Sequence, residues 1–124
     1  MNLSPKSQRL PRTLRLRRQA DFQRLHEANV FAADEVLVVR AIRNELGWTR
    51  LGVSLSRQVG NAVVRNRWKR LTREAFRRQR GDLPPGLDLV VRPRRGATPS
   101  LDSIARSLRQ LTRRLAKKLP GGPP

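Results

Sequence analysis

Eight basic side chains stand against one acid, Glu74, between Asn61 and Arg80. They are Arg65, Arg67, Lys69, Arg70, Arg73, Arg77, Arg78 and Arg80, with Asn66 among them. Guanidinium and ammonium groups at this density track the phosphates of a polyanion. The means for covalent chemistry are scarce by comparison. Cysteine is absent, so the chain has no thiolate metal site and no disulfide framework. His26 is the only histidine, which leaves room for a single Ser–His–Asp relay and none for a multi-histidine metal site. No paired carboxylates stand ready to organise two metal ions, so a stand-alone nuclease is disfavoured.

The element that must carry these cations is a helix over 61–80, with Asn61 as its N-cap. At about 100° per residue, Val64, Trp68, Leu71 and Ala75 fall on one arc. Arg65, Lys69, Arg70, Arg73 and Arg77 fall nearly opposite, with Asn66 inside their band. Like charges at i,i+4, such as Arg65/Lys69 and Lys69/Arg73, each cost an isolated helix a few tenths of a kcal/mol. Solvated helix faces usually mix both signs. A one-sided band therefore reads as a ligand surface for nucleic acid. A rigid band with one Asn suits the phosphates and 2′-hydroxyls of A-form RNA and carries no code for base sequence. Charge alone does not separate RNA from DNA.

The whole chain repeats this bias. Its 124 residues carry 28 Lys and Arg against 9 Asp and Glu, a formal net charge of +19. Apolar residues make up 37%, which predicts a thin core and a stability that depends on bound anions. Arg outnumbers Lys; bidentate phosphate binding and GC-rich coding explain that equally well. The basic N-terminus has no apolar run of a secretory signal, and no window approaches the roughly 20 apolar residues of a membrane span. The expected location is the cytoplasm.

Around the basic helix the pattern is α+β, in one domain. Residues 1–17, with Pro5 and Pro11, read as a basic extended arm. Phe22, Leu25 and Ala28 mark a short helix over 18–29. Strands are expected over 35–43 and 50–56. The turn between them at 44–48 predicts an antiparallel hairpin. A third strand, 87–92, ends at Pro93. Ser100 caps a helix to Lys118 with an apolar stripe of Leu101, Ile104, Leu108, Leu111 and Leu115. The domain is thus 18–118, and 119–124 form a Pro/Gly tail. Too few apolar residues remain to bury both sheet faces, so one is expected to stay open.

The stretch Arg50-Leu-Gly-Val-Ser-Leu-Ser-Arg-Gln-Val-Gly-Asn-Ala-Val-Val-Arg-Asn-Arg-Trp-Lys-Arg-Leu-Thr-Arg-Glu-Ala-Phe76 resembles the signature of the ribonuclease P protein subunit. Gly60-Asn61-Ala62-Val63 followed by Arg65-Asn66-Arg67-x-Lys69-Arg70 carries the likeness, supported by Gly52 and Ser54. Asp21-Phe22-Gln23 upstream, and Asp88-Leu-Val-Val with Arg94-Arg95 downstream, extend it over about 10–118.

The resemblance implies three helices around a four-stranded sheet in the order α-βββ-α-β-α, with a left-handed crossover. The fourth strand would be a short one near 50–60. It also implies a subunit of an endoribonuclease whose RNA removes the 5′ leader of precursor tRNA, with Mg²⁺ at the RNA active site and none held by the protein. The implied partners are the catalytic RNA and precursor tRNA, with no membrane and no DNA. Arg65, Asn66, Arg67, Lys69 and Arg70 would face the catalytic RNA, with Arg73 and Arg77 continuing the band. Phe22, His26, Arg57, Arg94 and Arg95 would line or flank the leader cleft. The chain departs from the family pattern at three places. His26 stands where a second aromatic is usual, Val36 to Val39 bring no aromatic to the first strand, and Arg57-Gln58 replaces two basic residues.

Several readings compete. A structural ribosomal protein would share the charge, size and open sheet. A membrane-active amphipathic helix over 100–118 is disfavoured by the sheet. Phe22 suits a core position as well as the cleft, Trp68 reads as core, and a lone Asp88 is weak evidence for a Mg²⁺ ligand.

Overall fold

The structure, a computed structural model, describes residues 10–121; the expectations for 1–9 and 122–124 lie outside the described residues. Seven elements follow in order: α1 (Gln19–Ala28), β1 (Phe31–Ala33), β2 (Leu37–Arg43), β3 (Arg50–Val53), α2 (Ala62–Gln79), β4 (Leu87–Pro93) and α3 (Leu101–Lys118). The order is the expected α-βββ-α-β-α. The Asn61 side chain accepts the Val64 amide proton at 3.0 Å and so caps α2. The Ser100 hydroxyl accepts from Ser103 at the head of α3 at 3.4 Å.

Two strand assignments differ from expectation. The fourth strand is β1, ahead of the first one expected, and not near 50–60. Its Phe-Ala-Ala sequence carries no β-branched residue, so propensity does not reveal it. It pairs antiparallel with β2 through a turn in which the Asp34 carboxylate accepts from the Val36 and Leu37 amides at 2.8 and 2.9 Å. Burial raises the Asp34 pKa, but hydrogen bonds from Ser107, Leu37 and Val36 outweigh it and hold the carboxyl below its ordinary value.

β2 and β3, in turn, form no hairpin. The sheet order is β1-β2-β4-β3, so β4 lies between them, antiparallel to β2 and parallel to β3. The connector at 44–49 must bridge two strand spacings, about 10 Å, and is clipped to the incoming strand. Asn44 donates from its backbone to Gly86 O and from its side chain to Asp88 Oδ1. The Thr49 hydroxyl donates to Pro84 O at 2.6 Å and accepts from the Leu87 amide. Glu45 and Gly47 take positive φ values of 61° and 85° in this turn.

The N-terminal segment also differs. From residue 10 it runs along the outer edge of β3. The Leu16 amide donates to Leu51 O at 2.8 Å, and Leu10, Leu14 and Leu16 are buried. An exposed strand edge and three leucines are both satisfied this way, so the packed domain starts by Leu10, ahead of residue 18.

The core lies on one side of the sheet. Leu37, Val39, Ala41, Leu51, Leu87, Leu89 and Val91 meet Trp68, Ala75 and Phe76 of α2 and Ile104, Leu108, Leu111 and Leu115 of α3. The alternate residues of β2 and β4 point the other way. Among the described residues the short helix α1 crosses that second face, anchored by the buried Leu25. The expected open face is therefore half covered, and a cleft remains.

Candidate nucleic-acid interface

The second face is polarised along the strands. At one end the fully buried Asp88 receives both arms of Arg50, at 2.8 and 2.7 Å, and the Asn44 amide at 2.9 Å. Arg24 of α1 stands 3.5 Å away and also holds Asp21. The Asp88 hydrogen bonds raise the Arg50 pKa, with burial opposing. Asp88 is thus committed to arginines and Asn44 and is not free for a cation. Among the described residues no group of three or more His, Cys, Asp or Glu could hold a metal ion. Asp88, held in this way, does not fit a Mg²⁺ ligand.

Toward the other end the acids give way to arginines. A cleft of about 220 Å³ opens between α1 and the sheet, lined by Gln19, Phe22, Gln23, Leu25, His26, Arg40, Ser54, Val90 and Arg92. The half-buried Phe22 ring lies over Gly52, and His26, one turn on, is exposed at the cleft. Phe22 is therefore both packing and lining. A second cavity of about 220 Å³ adjoins the first through Ser54 and Arg92. Its walls include Ser56, Gln58, Val59, Arg94, Arg95 and Ala97, with the buried Trp68 among them. Arg94 and Arg95 thus line this neighbour and not the α1 cleft. Arg57 is exposed in the 3-10 turn Arg57–Val59 and lines neither cavity.

Arg40 and Arg92 were not legible as cleft residues because each sits in a run read simply as strand. The alternation of β2 and β4 was the available signal, since it puts both on the face opposite Val39 and Val91. Phe31 was missed with its strand. It is 44% exposed, faces Arg40 across β1 and β2, and its ring centroid lies 5.6 Å from the Arg40 guanidinium carbon. An aromatic does stand on the first strand, five residues before the Val36 to Val39 stretch that brings none.

On α2 the buried residues are Trp68, Thr72, Ala75, Phe76 and Gln79. This face is turned by about 50° from the expected one, toward Arg65 and Arg73. Phe76, fully buried, pulls the helix round. Arg65, Lys69 and Arg73 consequently sit half-buried at the margin, while Asn66, Arg67 and Arg70 are exposed. Arg65 donates to Gly60 O at 2.8 Å, which ties the helix to its entry turn. Burial lowers the Arg73 pKa, and the neighbouring Arg15 lowers it further. Arg77, expected in the free band, instead grips Glu74 together with Arg78. Those hydrogen bonds, Arg77 first, hold the Glu74 carboxyl below its ordinary value against a burial effect of opposite sign.

Among the described residues no helix is long and apolar enough to cross a membrane. The arrangement offers two cationic surfaces on one rigid frame, one convex on α2 and one concave under α1. That combination suits RNA in two forms, a structured backbone and a single strand.

Comparison with known proteins agrees. The family model described as Ribonuclease P matches residues 10–116. The ribonuclease P protein component of Brevibacillus brevis is 40% identical over 105 residues, 83% of each chain. That of Desulfovibrio desulfuricans is 41% identical over 117 residues, 90% of each chain. The RNase P protein structure from Staphylococcus aureus superposes with a TM-score of 0.72 at 34% identity, over 84% of this chain and 95% of that one. The Thermotoga maritima protein gives 0.74 at 33% identity, over 81% and 96%. The chain belongs to the ribonuclease P protein family.

Proposed function

We propose that α2 seats this protein on the catalytic RNA of ribonuclease P while the cleft under α1 receives the single-stranded 5′ leader of precursor tRNA. The protein is a subunit of an endoribonuclease in tRNA processing, and the RNA subunit carries the chemistry. Asn66, Arg67 and Arg70, with Arg65, Lys69 and Arg73 at their margin, supply the docking cations. Phe22 and His26 line the leader path. Arg94 and Arg95 flank it through the adjoining cavity, and Arg57 stands at the approach. Mg²⁺ belongs to the RNA in this reading. The protein acts on it only indirectly, by neutralising phosphate repulsion so that less metal is needed. A cytoplasmic location follows from such a substrate.

The observation that carries the reading is the pairing of the two cationic surfaces across one sheet. A purely structural RNA-binding protein needs the α2 surface alone. The test is cleavage of precursor tRNA by a bacterial ribonuclease P RNA at limiting Mg²⁺, with and without this chain. Restored leader removal supports the proposal. Binding without stimulation moves the protein to the ribosomal type of role, and duplex DNA competing equally with the RNA would refute the RNA assignment.

A further inference from the structure

Among the described residues, the like-charged pair Arg40 and Arg92 makes no ion pair with an acid. Arg40 pairs with Val90 and Arg92 with Val38, so the two are diagonal neighbours on one face of adjacent antiparallel strands. Diagonal side chains start about 7 Å apart, which lets two guanidinium groups converge on one tetrahedral anion. Both line the α1 cleft. The ion pairs among the described residues use Arg24, Arg50, Arg77 and Arg78, never Arg40 or Arg92. The acids of this face are spent at its far end, where Arg50 and Arg24 hold Asp88 and Asp21.

Arg40 is also incomplete in a way Arg92 is not. Its Nε is buried and has no hydrogen-bond partner. The Phe31 ring flanks its guanidinium at 5.6 Å. Burial and the nearby Arg92 both lower the Arg40 pKa, so the protein makes its charged form less comfortable than in water. A fold tolerates an unpaired, partly desolvated donor of this kind where a ligand completes it.

We propose that Arg40 and Arg92 form a phosphate clamp for one internucleotide phosphate of the RNA leader, with Phe31 stacking on Arg40 to hold its fork toward the cleft. The inference rests on the leader-cleft reading above and specifies how the cleft grips. A clamp of two arginines reads backbone and not bases. Leaders of different sequence should therefore bind this protein with similar affinity, provided each reaches the clamp.

The test uses the reconstituted holoenzyme and precursor tRNA carrying a single neutral methylphosphonate at successive leader positions. Wild type should lose about tenfold in affinity at one position only, the loss of one charge-assisted contact. Arg40→Gln and Arg92→Gln should each bind the unmodified substrate about tenfold more weakly and be indifferent to the same methylphosphonate. The chemical change is on the RNA, so the wild-type arm holds whatever the variants do to folding. If wild type binds leadered substrate more tightly than leaderless but tolerates every methylphosphonate, the clamp is refuted and the cleft reading stands. If Arg40→Gln and Arg92→Gln instead weaken binding of the catalytic RNA, the phosphate comes from that RNA and the leader clamp is refuted. If leader length has no effect on affinity, both the cleft reading and the clamp fall.

Discussion

Gly52 of β3 and Phe22 of α1 touch so closely that a Cβ on Gly52 would stand 2.8 Å from Phe22 Cζ and 3.1 Å from Leu16 Cβ. The absent side chain is what lets α1 lie down on the sheet. It sets the depth of the cleft, because the Phe22 ring is a wall of it.

Gly52→Ala is therefore expected to push Phe22 off the sheet. Overpacking of this kind costs about 1–3 kcal/mol. The expected outcome is a lower midpoint in urea and a loss of affinity for leadered substrate that exceeds any loss for leaderless substrate. Equal losses on both would show that the ring does not shape the cleft.

Asp88→Asn should be far more costly than its conservative look suggests. It removes the carboxylate charge that neutralises Arg50 inside the sheet face, and it replaces one of the two accepting oxygens with an NH2 group. Breaking a buried pair on one side costs about 3 kcal/mol. Denaturant unfolding reads this directly, and a change below about 1 kcal/mol would mean that Arg50 finds water instead.

The exposed edge of α2 should dominate binding to the catalytic RNA. Arg67→Ala and Arg70→Ala are each expected to weaken it and to lower the slope of log K against log salt by about one. Arg77→Ala should do less, because its guanidinium already serves Glu74. A loss of affinity with an unchanged slope would exclude a phosphate contact at that position.

Acid should loosen the fold through two carboxyls. Glu74 and Asp34 both have pKa values below their ordinary 4.5 and 3.8. A depressed pKa contributes stability above the ordinary value and loses it as pH falls through the folded one. The melting temperature should therefore decline below about pH 4.5. Glu74→Gln should flatten part of that decline, and an unchanged profile would remove Glu74 as a contributor.

Anions should act in the opposite sense to the net charge of +19. Sulfate added at low ionic strength is expected to raise the melting temperature, since bound anions relieve repulsion in the folded state. Far-UV circular dichroism across a sulfate titration reads it. A fully folded, sulfate-insensitive protein in plain buffer would contradict the expectation.

The helices were legible because periodicity and caps agree. Asn61 and Ser100 cap where their side chains predict, and the α3 stripe is buried from Ile104 to Leu115, with Leu101 half-buried at its head. The strand order was not legible from local signals. The connector at 44–49 looks like a hairpin turn from either side, and only the later arrival of β4 decides against it. On α2 the periodic arc omitted Thr72, Phe76 and Gln79, so the angular centre was off and Arg65 landed at the margin. Phe22 and His26 do come together in the cleft, because helix spacing is local information. Arg40 and Arg92 come together only through the pairing register of two strands far apart in sequence, which no single segment encodes.

The central position of β4 also has a consequence in time. A ribosome makes β1, β2 and β3 first, yet β3 has no partner strand until residues beyond α2 emerge. At ordinary translation rates that interval is on the order of several seconds. Within it the basic α2 segment is synthesised while the sheet that will pack it is unfinished. The nascent chain thus meets the RNA-rich surroundings of the ribosome as a cationic segment before it becomes a folded domain, and early charge neutralisation would protect it from wandering.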